Sequence, residues 1–313
     1  MQVTYNAIAT LREQIGRAVL GKTRQIDLVL TALLARGHIL IEDLPGLGKT
    51  TLARALARSL HATFKRTQFT PDLLPSDVLG TTVYNQHTGE FKWRAGPVFT
   101  QILLVDEINR ATPRTQSALL EAMNEGCVSA DSETHQLPKP FMVIATQNPI
   151  EHAGTYPLPE SQLDRFTLRI SMGYPALEQE REMLNSFSSR DSVELVEPVM
   201  SAEDVINVQA AVANVRMDDA IRDYMLAIIT ATRTHSRLIA GVSPRGSLAL
   251  YRACQAYAAV NGRDYVVPDD VKALAVPALA HRVIERSSGD ASSTAAPGEA
   301  TIRAILEKVD VPV

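Results

Sequence analysis

The sequence predicts an α/β fold in which a parallel sheet with helices on both faces, residues 1–173, precedes a smaller all-helical domain, residues 174–313. Three observations carry this. Short apolar runs alternate with helical periodicity through the first half. The run Ile39-Leu40-Ile41 opens directly into a glycine-rich turn and then a helix. Beyond Tyr174-Pro175 strand signals cease and three-to-four spacing takes over. With 313 residues the chain is long enough for two domains, each burying its own core.

In order, segment 6–36 places Ile8, Leu11, Ile15, Val19, then Ile26, Val29, Leu30, Leu33 and Leu34 at helical spacing, which reads as two amphipathic helices parted by Gly21. After the strand 39–41 comes a helix over 51–60. Further strands are predicted at 62–69, 102–105 and 141–145, with a weaker one at 168–172, and a helix at 115–124. Helices between apolar strands favour a parallel sheet. Two insertions interrupt the alternation: 82–96, with Val, Tyr, Phe and Trp around a Thr88-Gly89 turn, and the hairpin-like 127–139. The second domain reads as helices at 178–187, 202–215, 221–234, 244–261 and 268–283. A Ser-, Ala-, Gly- and Thr-rich loop over 287–300 and a last helix at 301–308 follow.

Composition excludes several classes. A hydrophobic fraction of 45% and a charged fraction of 21% are those of a globular protein, and no fixed-period repeat points to a solenoid. A net charge of -4 lacks the broad positive field of non-specific nucleic-acid binders. No apolar run approaches a membrane span and the first twenty residues do not resemble a signal peptide, so a cytoplasmic protein is expected. Cys127 and Cys254 are too far apart for a CxxC site and read as buried small apolar residues. The seven histidines lack metal-ligand spacing and read as core or solvated side chains.

The chemistry lies at strand ends. In Pro45-Gly46-Leu47-Gly48-Lys49-Thr50, backbone N–H groups and a helix N-terminus can surround phosphates, with Lys49 meeting the outer phosphate and the Thr50 hydroxyl on Mg²⁺. Thr51, next along the helix, joins this nucleotide-binding set. The glycine usual five positions before Gly48 is here Asp43. In Ile102-Leu103-Leu104-Val105-Asp106-Glu107 two carboxylates close a buried strand. Asp106 suits Mg²⁺ through its hydration shell and Glu107 an attacking water. Val143-Ile144-Ala145-Thr146-Gln147-Asn148-Pro149 ends in amides, and Asn148 can fix that water without adding charge near a polyanion. Arg165, after the helix 160–163, and Arg245, behind the Ser243 cap and Pro244, can supply positive charge as a phosphoryl group departs, one of them to a neighbouring subunit.

Together these phrases resemble the AAA+ ATPases, and their wording resembles the MoxR family. The same holds for Gln68-Phe69-Thr70-Pro71-Asp72-Leu73-Leu74-Pro75-Ser76-Asp77, Val105-Asp106-Glu107-Ile108-Asn109-Arg110-Ala111, Gly154-Thr155-Tyr156-Pro157-Leu158-Pro159-Glu160, Leu163-Asp164-Arg165-Phe166 and Ser243-Pro244-Arg245. The match runs from about Gly21 to Val283. The 82–96 segment looks like the helix-two insert of one AAA+ branch, and 127–139 like the insert before sensor one. The resemblance implies Walker A at Lys49 and Thr50, Walker B at Asp106 and Glu107, sensor one at Asn148, an arginine finger at Arg165 and sensor two at Arg245. It also implies an adenine border at Val19, Leu20 and Gly21. Further implications are ATP/ADP and Mg²⁺ as ligands, a hexameric ring, and a chaperone-like role in protein remodelling, metal insertion or complex maturation with von Willebrand factor A domain partners.

Rival readings are a DNA-acting motor, a small-molecule kinase and a slow ATP-binding switch. Lys92, Trp93 and Arg94 could stack on and neutralise a strand, but hairpin packing with a solvated basic edge accounts for them better. The helical second domain, Asn148 and the separate arginines speak against a kinase.

Overall fold

The computed structural model describes residues 2–130, 133–149, 154–185, 192–286 and 298–312. In chain order these form α1 (Gln2–Ala18), α2 (Thr23–Leu34), β1 (Ile39–Glu42), α3 (Lys49–Ser59), β2 (Phe64–Gln68), α4 (Pro75–Leu79), a hairpin of β3 (Gly80–Asn85) and β4 (Glu90–Ala95), β5 (Ile102–Asp106) and α5 (Pro113–Glu125). A second hairpin of β6 (Cys127–Ala130) and β7 (Glu133–Gln136) follows, then β8 (Met142–Gln147), α6 (Glu160–Leu163), β9 (Leu168–Ile170) and α7 (Leu177–Asn185). The remainder is α8 (Ala202–Val212), α9 (Asp219–Thr234), β10 (Leu238–Ala240), α10 (Pro244–Val260), α11 (Pro268–Leu279), β11 (Ile284–Glu285) and α12 (Glu299–Leu306). The end of the predicted helix 178–187, the tip of the second hairpin and most of the predicted loop 287–300 lie outside the described residues.

Among the described residues β2-β5-β8-β1-β9 form a five-stranded sheet, parallel throughout. Its central strands are apolar on successive residues up to their carboxyl ends, because both faces are covered. Alternation sorts the side chains: Ile39, Ile41, Ile102, Leu104, Met142 and Ile144 join the core under α1, α2 and α3. Leu40, Leu103, Val105, Val143 and Ala145 pack on the opposite face with Leu119, Leu120 and Met123 of α5. Capping sets the helix starts. The Thr112 hydroxyl and Pro113 open α5, and the Ser243 hydroxyl, accepting from Gly246 N at 3.2 Å, opens α10 behind Pro244.

Two expectations change. The second domain is helical but not free of strands, because β10 and β11 pair antiparallel across more than forty residues. At three and two residues they are too short for any periodicity to register. Nor does each domain bury a core of its own. The apolar cluster under α1–α3 runs continuously through Ile228, Leu250, Leu274 and Ile302 of the helical domain. Gln209 of α8 donates to Leu33 O at 2.7 Å and Val199 N to Ser59 O at 2.7 Å, so the helical domain sits on the first three helices. Their apolar stripes are wide enough to serve sheet and lid together.

The two hairpins meet where Trp93 stacks on His135, ring centroids 4.4 Å apart and planes 7° from parallel. Trp93 is therefore half-buried packing, with Lys92 and Arg94 on an exposed edge. Cys254 is buried, whereas Cys127, opening an edge hairpin, is only half-buried, a departure from the sequence expectation.

Candidate active site

β1 delivers the chain into the turn 43–48, and α3 begins at Lys49. Gly46 and Gly48 both have φ of +85°, and a Cβ on either would meet no atom within 4 Å. Backbone conformation, not crowding, requires glycine there.

The turn borders a cleft of about 340 Å³ at the carboxyl ends of the strands, where open α/β sheets bind ligands. Pro45, Gly46, Gly48, Lys49, Thr50 and Thr51 line it from the turn and α3. Asp106 and Glu107 come from the end of β5, and Thr146, Gln147 and Asn148 from the end of β8. Arg66 and Gln68 come from β2, and the sequence reading assigned neither of them a role. Leu47 instead packs against the core. Val19, Leu20 and Gly21 do not line this cleft. Val19 is buried in the core, and the Gln179 carboxamide of α7 lies where a Cβ on Gly21 would stand.

Asp106 is 7% exposed, and both its oxygens are engaged. Oδ1 accepts from the Thr146 hydroxyl at 3.2 Å and Oδ2 from Arg66 Nε at 2.5 Å. The same Thr146 oxygen accepts from Glu107 N at 3.0 Å, so one buried hydroxyl orients both acidic residues. Glu107 adopts a left-handed backbone, φ 56° and ψ 53°, which costs a non-glycine residue roughly 1 kcal/mol or more and marks a constrained position. Its Oε2 accepts from Gln68 Nε2 at 2.6 Å and from Arg110 Nη1 at 3.0 Å. The carboxylate is thus latched to β2 and to the 3₁₀ turn Ile108–Arg110.

Lys49 Nζ donates to Asp43 O at 2.7 Å. Burial pulls its pKa below the ordinary lysine value, against the opposing pull of Asp43, Asp106 and Glu107. Asp43, standing where a glycine is usual, has a positive structural use. Oδ1 accepts from Leu44 N at 2.9 Å, and Oδ2 from Ser171 Oγ at 2.8 Å and Gly173 N at 2.7 Å. This fastens the turn to the segment leading into the lid. Lys22 Nζ grips that segment from the other side, donating to Gly173 O and Tyr174 O at 2.9 Å each.

Arg165 and Arg245 are brought together, but not at this cleft. Arg165 Nη1 donates to Leu120 O at 2.8 Å, and its Nε is buried with no hydrogen-bond partner among the described residues. Arg245 donates to Asn124 Oδ1 and stands 4.0 Å from Asp164 Oδ2. Behind them lies the buried Arg282, which no sequence pattern marked. It donates to Asp164 Oδ1 at 2.7 Å, Phe166 O at 2.8 Å and Thr167 O at 3.2 Å, tying the lid to the turn that carries Arg165.

The histidines read as core follow suit at His38 and His281. His38 Nδ1 accepts from Val143 N at 3.0 Å, so Nε2 carries the proton toward Met123 O at 3.1 Å, and burial lowers its pKa to about 4.

In chemical terms the cleft offers a left-handed glycine turn at a helix start, one lysine, a hydroxyl, and a mostly buried carboxylate. Hard oxygen donors such as Thr50 and Asp106 fit Mg²⁺, and the turn fits phosphates. Comparison with known proteins agrees. The model of the ATPase family associated with various cellular activities (AAA) matches residues 38–168, and that of the AAA lid domain matches residues 230–305. The chain is 52% identical over 301 residues to the uncharacterized protein YeaC of Bacillus subtilis, covering 96% of this chain and 93% of YeaC. It is 40% identical over 308 residues to Chaperone MoxR1 of Mycobacterium tuberculosis, covering 96% of this chain and 81% of that one. The crystal structure of a candidate ATPase from Cytophaga hutchinsonii matches with a TM-score of 0.91 at 38% identity, covering 99% of this chain and 96% of that one. No helix among the described residues is long and apolar enough to cross a membrane. The matches to the AAA and AAA lid models and the 40% identity to MoxR1 along nearly the whole chain make this protein a member of the MoxR family of AAA+ ATPases.

Proposed function

We propose that the protein hydrolyses Mg-ATP at sites shared between the subunits of a hexameric ring and uses the turnover to remodel protein clients.

ATP here is the substrate. The observation that carries this reading is the single cleft lined by Lys49, Thr50, Asp106, Glu107 and Asn148 together. Lys49 exchanges its hydrogen bond to Asp43 O for the outermost phosphate, while the turn at Gly46 and Gly48 lets backbone approach the others. Thr50 and Asp106 are the residues that would hold Mg²⁺, which supplies charge neutralisation between the outer phosphates. Glu107, once off Gln68 and Arg110, orients and deprotonates water, and Asn148 positions it. Val19, Leu20 and Gly21, outside the cleft lining, are the residues that by family resemblance would border the adenine.

Arg165 and Arg245 lie outside the cleft lining. Their place away from this chain's own cleft favours Arg165 as the finger for a neighbouring subunit's phosphate, with Arg245 acting on its own site or on the neighbour's. The division into a core, 1–173, and a lid, 174–313, belongs to the same reading. So do a cytoplasmic setting, a role in metal insertion or complex maturation, and partners with von Willebrand factor A domains. A relative named as a chaperone supports the remodelling role. The test is release of inorganic phosphate from Mg-ATP by the wild type and by Glu107→Gln. Wild-type turnover that Glu107→Gln loses, with nucleotide still bound, is expected. Equal turnover by the two removes Glu107 from the mechanism.

A further inference from the structure

We propose that Arg66 is a phosphate-binding residue of this site, able to exchange the Asp106 carboxylate for the outermost phosphate of the nucleotide when Mg-ATP binds. The proposal rests on the ATP-site reading above.

Position comes first. β2 runs parallel to β5 at the sheet edge, with Arg66 opposite Leu104 and Gln68 opposite Asp106. Paired residues in a parallel ladder point to the same face, so Arg66 and Gln68 emerge on the face that carries α3 and Lys49. Phe64, two residues earlier, packs into the core of that same face. A long cationic side chain is therefore sent along the sheet into the cleft, which it lines together with Lys49 and Thr50.

Its partner comes second. Asp106 Oδ1 accepts from the buried Thr146 hydroxyl, and Oδ2 from Arg66 Nε at 2.5 Å. Asp106 is also the carboxylate that would hold Mg²⁺. A dication held at Asp106, even through its hydration shell, would stand close to the guanidinium on Oδ2, and like charges so close repel. Arg66 can leave, because its side chain is 54% exposed and pairs of this kind are weak. Asp106, at 11%, stays.

Charge says where it goes. The ionised side chains lining the cleft are Asp106 and Glu107 against Lys49 and Arg66. With Arg66 counted out, a polyanionic triphosphate would face more carboxylates than cations. With Arg66 on the phosphate, two cations meet the outer phosphate charge, and the planar guanidinium can offer two donors at once.

The experiment is equilibrium titration of Mg-ATP and Mg-ADP by calorimetry, with Glu107→Gln as the parent so that ATP is not consumed. Relative to that parent, Arg66→Met is expected to weaken Mg-ATP about tenfold to a hundredfold, the loss of a charged hydrogen bond. Mg-ADP, which lacks the outermost phosphate, should not share that loss, so the preference for Mg-ATP over Mg-ADP falls by about tenfold or more. Should Arg66→Met melt early, Arg66→Gln, which keeps a donor for Asp106 without the charge, carries the same comparison. Equal losses for ATP and ADP would reduce Arg66 to a structural role, and an unchanged preference for ATP would exclude it from the phosphate. Either result overturns the proposal while leaving the ATP site intact. A parent that binds neither nucleotide instead overturns the ATP-site reading beneath it.

Discussion

Restoring the common glycine at position 43 should harm this protein. Asp43→Gly removes a carboxylate that accepts from Leu44 N, Ser171 Oγ and Gly173 N at 2.9, 2.8 and 2.7 Å. Hydrogen bonds to a charged acceptor contribute roughly 1.5–3 kcal/mol each. Asp43 is only half-buried, so water recovers about half of that, and a loss of about 2–4 kcal/mol remains. For a chain of this size the melting temperature should fall by roughly 5–10 °C. Asp43→Asn, which keeps one acceptor oxygen, should lose about half as much. Nucleotide affinity should change little, because the partner of Lys49 is the backbone carbonyl of residue 43, which glycine retains. Thermal unfolding by circular dichroism alongside a nucleotide titration reads both quantities. A melting temperature for Asp43→Gly within about 2 °C of wild type would refute the anchoring role.

Gln68→Ala frees one side of the Glu107 latch and should raise basal ATP turnover several-fold with little change in KM, as steady-state phosphate release will show. Turnover at or below the wild-type rate would mean that Gln68 holds Glu107 in a productive place. Thr146→Val, nearly isosteric, strips the hydroxyl shared by Asp106 and Glu107 N, and should cost roughly 1–3 kcal/mol in urea unfolding and weaken the dependence of turnover on Mg²⁺. His38 is buried in neutral form, its pKa lowered from 6.5 to about 4. The unfolded chain takes up that proton first, so this contribution is complete above about pH 6.5 and is lost as pH falls toward 4, about 3 kcal/mol in all. His38→Gln should therefore be less stable than wild type at pH 7 but show a shallower loss between pH 6.5 and 4.5.

Much of this was legible in the sequence because it is local. An apolar strand, a glycine turn and a Gly-Lys-Thr helix start are contiguous, as are Leu104-Val105-Asp106-Glu107 and the Ser243-Pro244 cap. What escaped depends on pairing across the chain. Arg66 meets Asp106 only through the β2–β5 register, and nothing in Phe64-Lys65-Arg66-Thr67-Gln68 marks its third residue. Asp43 looked like a missing glycine until Ser171 and Gly173 supplied its partners. Arg282 is a buried arginine in a helical stretch, explained only by the carbonyls of the turn 164–167. The short strands β10 and β11 lack the length to show a period. Val19 to Gly21 had no chemistry of their own and entered through resemblance alone.

The claim that most needs testing is that one catalytic site is built from two subunits. Glu107→Gln and Arg165→Ala are each expected to bind nucleotide and to hydrolyse it poorly, the second by a factor of about a thousand or more. The measurement is ATP turnover by an equimolar mixture of the two variants, unfolded and reassembled together. If Arg165 serves a neighbour's phosphate, about a quarter of the interfaces in a random mixture join an intact Glu107 to an intact Arg165, and turnover returns to a corresponding share of wild type. If both residues serve the same subunit's site, every site in the mixture lacks one of them, and the mixture stays as inactive as either variant alone.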